Sequence, residues 1–122
     1  MIKLDITGHR YELDENLIEY VEKKIGGLEK FLPKEVRTAV HAEVILSYDP
    51  SGKEGNHYVC EGVMSVPHHS KLQAKEGTGN MYAAIDVVEA KLKVQVSRYK
   101  QKSHGKQKSL KLMVARFLKR TT

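Results

Sequence analysis

Val36 to Tyr48 reads VRTAVHAEVILSY, with Val36, Val40, Ala42, Val44, Leu46 and Tyr48 on even positions and Arg37, His41, Glu43 and Ser47 on odd ones. An apolar period of two marks a strand with one face in the core and the other in water, so this stretch predicts a long strand in a sheet covered on one side. Downstream, Asp49-Pro50-Ser51-Gly52 supplies turn chemistry within a polar loop that ends near Asn56. Tyr58, Cys60, Met64 and Val66 then form the inward set of a second strand of this hairpin, which Pro67 ends. Leu72 and Ala74 alternate with Lys71, Gln73 and Lys75 in a last short strand. Upstream, Ile2, Leu4 and Ile6 alternate with Lys3, Asp5 and Thr7 in a first strand ending at Gly8.

Two segments change to helical period. Asp14 is an N-cap type with Glu15 in the first turn, and Leu17, Val21, Ile25, Leu28 and Leu32 follow at helical spacing, predicting an amphipathic helix from Glu15 to Phe31 closed by Pro33. The Gly26-Gly27 pair costs about 1 kcal/mol per glycine relative to alanine, so the helix is expected to bend or fray there. After Gly77-Thr78-Gly79, Asn80 caps a second helix whose Met81, Ile85, Val88, Leu92, Val96 and Tyr99 share one apolar arc. The order is β-α-β-β-β-α. It predicts an α+β fold with a four-stranded sheet and two helices packed on one face, arranged like a double-stranded-RNA-binding domain. The expected division is one α+β domain over residues 1–102 and a basic C-terminal tail over 103–122.

Charge is the strongest functional signal. No acidic residue follows Glu89, and Ala90 to Thr122 carry eleven Lys and Arg, so a chain of net charge +6 consists of a −5 body and a +11 end. Such a block concentrates polyanions, nucleic-acid phosphate foremost. On the second helix, Lys91, Arg98 and Lys102 line one flank of the apolar arc, and Lys93 with Lys100 the other. Cations in the last turns of a helix also complement its dipole, but a merely solvated face usually mixes signs, and this one does not. Opposite the arc, Ala83, Val87, Ala90 and Val94 form a second apolar stripe. It is either small aliphatic surface or the seat of a partner helix. Leu110, Met113, Val114, Phe117 and Leu118, beyond the hinge-like Ser103-His104-Gly105-Lys106, supply a candidate third helix over residues 109–120.

Other function classes find little support. The lone Cys60 has no partner for an intramolecular disulfide and sits in an apolar run, as a small core residue would. His68-His69 are adjacent, not at metal-ligand spacing, and GxSxG, HExxH, P-loop and GxGxxG motifs do not occur. No catalytic residue, metal site, cofactor or small-molecule substrate is expected. The opening MIKLDITGHR lacks the apolar stretch of a signal peptide, and no segment approaches a bilayer span. The expectation is a cytoplasmic protein without membrane association, monomeric when free.

The run Asn80-Met81-Tyr82-Ala83-Ala84-Ile85-Asp86, continuing to Lys91-Leu92-Lys93-Val94-Gln95, resembles the DMYAAID…KLERQ opening of the last helix in the ribosome hibernation promoting factor family. That family is also called ribosome-associated inhibitor or light-repressed protein. Ile6-Thr7-Gly8-His9-Arg10 is similar to its first strand and turn, and Tyr20-Val21-Glu22-Lys23-Lys24 with Leu28-Glu29-Lys30-Phe31 to its first helix. The match covers about residues 1–102. It implies a translation inhibitor of stress or stationary phase, without catalysis, seated on the small ribosomal subunit and its rRNA in the channel of mRNA and tRNA anticodons. Carried across, Lys23, Lys24 and Lys30 on the first helix and Lys91, Arg98 and Lys102 on the second would contact phosphate and sugar, positioning the protein without reading sequence. Lys93 and Lys100 join them as candidates by their place on the helix.

Three departures qualify the match. Asn80 replaces Asp, which keeps a cap but removes a charge; Lys93-Val94 replaces Glu-Arg, which puts one rRNA contact in doubt; and nothing resembles the separate C-terminal domain of long members. This reads as a short form. The rival reading, a general double-stranded or structured RNA-binding module, needs a basic cluster at the start of the last helix, where residues 80–89 have no Lys or Arg. A third, a membrane-surface or partner-binding tail, rests on residues 109–120 alone.

Overall fold

The computed structural model describes residues 2–69 and 71–121, with side chains described through residue 101. Strands β1 (Lys3–His9), β2 (His41–Tyr48), β3 (Tyr58–Ser65) and β4 (Leu72–Thr78) form one sheet in that order, and helices α1 (Glu15–Lys24) and α2 (Met81–Thr121) pack on one face. β1 runs parallel to β2, with Lys3 opposite His41 and His9 opposite Ser47; β2–β3 and β3–β4 are antiparallel. The α+β architecture and element order agree with the expectation from sequence.

The alternating side chains sort as the pattern predicts. Val40, Ala42, Val44, Leu46, Cys60, Met64, Leu72 and Ala74 are buried beneath the helices together with Leu17, Val21, Ile25 and Leu28, and the whole apolar arc of α2 joins them. Among the described residues no polar or charged side chain is buried. Burial pushes the Cys60 thiol up to about 12, leaving a protonated, inert side chain.

Two boundaries differ from the sequence reading. The strand expected from Val36 begins only at His41, because Arg37–Ala39 form a 3-10 turn. There the Arg37 guanidinium donates from Nε to the Leu32 carbonyl (3.1 Å) and from Nη2 to that of Lys30 (3.3 Å). Arg37 therefore closes the preceding helical segment instead of pointing from a strand. That segment, expected as one helix to Phe31, is α-helical to Lys24 and then a 3-10 helix over Gly26–Phe31. The glycine pair marks the change, as its weak helix propensity requires.

Local chemistry fixes the remaining ends. Asp14 caps α1 by accepting from the Leu17 amide at 2.7 Å, and Asn80 caps α2 by accepting from that of Tyr82 at 2.8 Å. Gly62 lets α2 approach β3, since a Cβ there would stand 2.9 Å from Leu92 Cδ1 and 3.0 Å from Val88 Cγ1. At the free edge of β4 the Gln95 side chain stands in for a neighbouring strand. Its Oε1 accepts from the Gln73 amide (2.9 Å) and its Nε2 donates to the Gln73 carbonyl (2.8 Å), blunting an edge open to pairing. Tyr99 Oη donates to the Pro67 carbonyl at 3.0 Å, tying α2 to the β3–β4 connection.

On the second stripe, Ala83, Ala90 and Val94 are exposed and Val87 is half-buried. α2 extends to Thr121, across the Ser103-Lys106 stretch. The docking expected of the side chains in residues 109–120 lies outside the described residues. Among the described residues no helix is long and apolar enough to cross a membrane.

Candidate nucleic-acid interface

The helix seam gathers cations that lie far apart in the chain. Gly26–Phe31 follows α1 and runs beside α2, so Lys23, Lys24 and Lys30 meet Lys93 around a narrow groove of about 110 Å³, with Phe31 and Glu89 also in its lining. The Nζ atoms of Lys93 and Lys30 lie 4.7 and 5.2 Å from the Phe31 ring centre. Two ammonium groups thus share one ring, whose electron-rich face offsets part of their mutual repulsion. Lys24 is differently placed, with Nζ 3.6 Å from Asp86 Oδ1 and 3.8 Å from Glu89 Oε2.

A clamp holds the adjoining end of this seam. Tyr20 Oη donates to Asp86 Oδ1, and the Tyr20 and Tyr82 rings meet edge to face at 4.9 Å. The bond to Asp86, with burial and the nearby carboxylates, pushes the Tyr20 hydroxyl up to about 12. α1 and α2 are therefore tied by both an aromatic and a polar contact.

The other shoulder of α2 faces β4. Lys91 Nζ donates to Glu76 Oε2 at 2.7 Å, and Lys75, Lys91, Gln95 and Arg98 line a shallow hollow of about 450 Å³. The expected site residues consequently gather unevenly: Lys23, Lys24, Lys30 and Lys93 come together, Lys91 stands apart at the sheet edge, and Arg98 borders both that edge and a hollow of about 390 Å³ that it shares with Lys93. Lys100 is exposed and, seven residues beyond Lys93, lies on the groove side of α2. The side chain of Lys102 lies outside the described residues.

Sequence reading missed Lys75, Phe31 and the carboxylates Asp86, Glu89 and Glu76 as members of these surfaces. Lys75 is legible as an outward residue of a short strand, but its neighbour on α2 depends on how the helix lies across the sheet. Phe31 reads as the end of a helical stripe; its cationic neighbours appear only once α2 packs alongside.

The family model described as Sigma 54 modulation protein / S30EA ribosomal protein matches residues 4–104, most of the chain. The chain belongs to that family. The ribosome hibernation promotion factor of Picosynechococcus sp. is 32% identical over 105 residues, which cover 86% of this chain and 52% of that protein. The factor of the same name from Lactococcus lactis is 32% identical over 108 residues, covering 87% of this chain and 54% of that protein. The chain thus spans about half the length of the curated S30EA relatives it matches. Among solved structures, the N-terminal domain of Thermus thermophilus Protein Y superposes with a TM-score of 0.65 at 26% identity, covering 81% of this chain and 99% of that one. A ribosomal subunit interface protein from Coxiella burnetii, at 23% identity and a TM-score of 0.63, covers 81% of this chain and 98% of its own and shares the fold.

Proposed function

We propose that this chain is a ribosome hibernation factor that binds the small ribosomal subunit through its rRNA at the decoding region. There it keeps mRNA and tRNA out by bulk and so inhibits translation under stress or in stationary phase. The family is non-enzymatic, and the reading asks for no catalytic group, metal or cofactor.

The observation that carries the proposal is the seam between the helices. Lys30 and Lys93 converge there on one aromatic ring with Lys23 in the same groove, and an RNA phosphate would relieve their mutual repulsion. Lys91, Arg98, Lys100 and Lys102 extend the positive surface along α2, and Lys24 supplies the rim. Contacts of this kind position a protein on folded RNA by shape and charge, without base readout. A rigid α+β body held in a channel then excludes other occupants sterically. The free protein is a cytoplasmic monomer in this reading.

Sedimentation of the purified chain with isolated small subunits tests the proposal. Co-migration is expected, weakening steeply with salt because each neutralised phosphate adds about 0.9 to the slope of log K against log salt. In a cell-free translation assay, stoichiometric protein should suppress synthesis. A chain that stays at the top of the gradient at moderate salt, or leaves synthesis untouched, overturns the reading.

A further inference from the structure

Val94, 50% exposed, stands on the outer side of α2, opposite the arc that packs on the sheet. At about 100° per residue, Ser97 and Gln101 continue its line along the helix. Lys91 and Arg98 lie about 50° to one side of that line, and Lys93 and Lys100 about 110° to the other. All of these side chains are exposed. The two cation rows therefore sit near opposite edges of a cylinder roughly 10–12 Å across, with uncharged side chains between them.

Lys93, Val94, Ser97, Arg98 and Gln101 line a shallow hollow of about 390 Å³ that joins the seam side of α2 to its β4 side. On the seam side, Lys93 Nζ lies 4.7 Å from the Phe31 ring centre, and Lys23 and Lys30 line the same groove. On the β4 side, Arg98 shares its second hollow with Lys75 and with Lys91, whose Nζ donates to Glu76 at 2.7 Å. Asp86 and Glu89 lie beside Lys24, and among the described residues no carboxylate lines the hollow between the rows. A surface helix ordinarily carries its charge on the side opposite the core. Here the charge is split to either shoulder, and Val94, Ser97 and Gln101, along the outermost line, carry none.

That split selects the partner. A single anion would engage one cation row and leave the other without a ligand, and a second copy of the chain would set like charges against each other. Double-stranded RNA offers two phosphate strands bordering a wide, shallow minor groove that displays ribose 2′-hydroxyls. With α2 laid over that groove, Lys93 would reach one strand and Arg98 the other. The Val94 methyls would meet ribose carbons, and the Ser97 hydroxyl and Gln101 amide, each both donor and acceptor, would bond the 2′-hydroxyls. We infer that the outer face of α2 takes the minor groove of a double-stranded RNA segment, and that Val94, Ser97 and Gln101 make this face select RNA over DNA. B-form DNA lacks the hydroxyl, and its minor groove, about 6 Å wide, does not admit a helix. The inference rests on the rRNA-binding reading above, and it gives each cation row its own strand.

The probes are a blunt RNA duplex of about 16 base pairs and the DNA duplex of the same sequence, each followed by end-label anisotropy. The wild type should bind the RNA duplex the more tightly. Ser97→Ala with Gln101→Ala should weaken RNA-duplex binding about tenfold, the scale of two lost hydrogen bonds, and leave DNA binding unchanged. Val94→Trp adds bulk without charge and should hold the duplex off the helix, lowering RNA-duplex affinity by about tenfold, whereas Val94→Ala should retain it. Melting temperatures should stay near that of the wild type, because all three positions are exposed. Equal wild-type affinity for the two duplexes, or RNA binding unchanged in both the Ser97/Gln101 and the Val94→Trp variants, overturns the inference; continued co-sedimentation with small subunits then leaves the functional reading standing. Failure to bind the RNA duplex and small subunits alike overturns both.

Discussion

The helix seam and the β4 edge both carry lysines from two elements, yet they organise them differently. In the seam, Lys30 and Lys93 share one ring, and the carboxylates near it, Asp86 and Glu89, lie beside Lys24. At the edge, Lys91 is neutralised by Glu76 at 2.7 Å, and Arg98 and Lys75 border an open hollow. Clustered cations therefore do not all make equal candidates for a phosphate site. Under the proposed RNA contact, what matters is whether like charges are held together in the free protein, because a phosphate would relieve that repulsion and so favour the complex.

Reversing charge on each side is the sharpest way to break this comparison. Lys30→Glu with Lys93→Glu should remove two contacts, lowering affinity for small subunits roughly 30-fold at physiological salt and the salt slope by about two. Lys91→Glu with Arg98→Glu should cost less, about fivefold, because Lys91 already has a partner and effectively one contact is lost. Sedimentation or filter binding across a salt series reads both quantities. If the edge pair proves the more damaging, the seam is not the principal phosphate site.

Much of this arrangement was legible in the sequence, and the part that was not has a physical reason. Period-two alternation located all four strands and their buried faces because one-sided burial enforces it residue by residue. Angular bookkeeping on α2 placed Lys91 and Lys93 on different shoulders, as the structure has them, since helix geometry is local. It could not say which shoulder meets the first helical segment, a matter of the register in which two distant elements pack. The strand expected from Val36 was too long for a related reason. Val36 and Val40 keep the right parity, but Arg37 finds carbonyl acceptors on Lys30 and Leu32, and that competing partner sets the boundary. Asp14 and Asn80 were readable as caps because capping involves only neighbours in the chain.

Gly62 tests how the seam is set. A methyl at this position meets Leu92 Cδ1 at 2.9 Å and Val88 Cγ1 at 3.0 Å, so Gly62→Ala should push α2 from β3 and cost about 1–3 kcal/mol in denaturant unfolding. Leu92 ends flexibly, and Leu92→Val removes the δ carbon in the way. The double variant should thus be less destabilised than the sum of its singles. The same displacement moves Lys93 relative to Phe31, so Gly62→Ala should also weaken RNA binding at the seam while the protein remains folded. Additive behaviour in the double-mutant cycle would show that the close approach is not what seats the helix.

The smallest effect concerns the clamp beside the groove. The Tyr20 hydroxyl, raised from 10.0 to about 12 chiefly by its bond to Asp86, binds its proton more tightly in the folded chain than in the unfolded one. Its contribution is therefore complete below pH 10 and lost as pH rises toward about 12. Tyr20→Phe removes it at every pH, at a cost of at most about 1 kcal/mol for an exposed bond near neutrality, and the gap from wild type should close over that alkaline window. Unfolding measured at neutral and alkaline pH checks this directly; a gap that persists through the window would assign the loss to packing against Tyr82. The substitution bears on the seam as well. Without the hydroxyl, Asp86 is freer to engage Lys24, now 3.6 Å away, and a closer pair there withdraws one cation from the groove rim. RNA binding should then fall slightly while the salt slope decreases, a combination that lost packing alone would not produce.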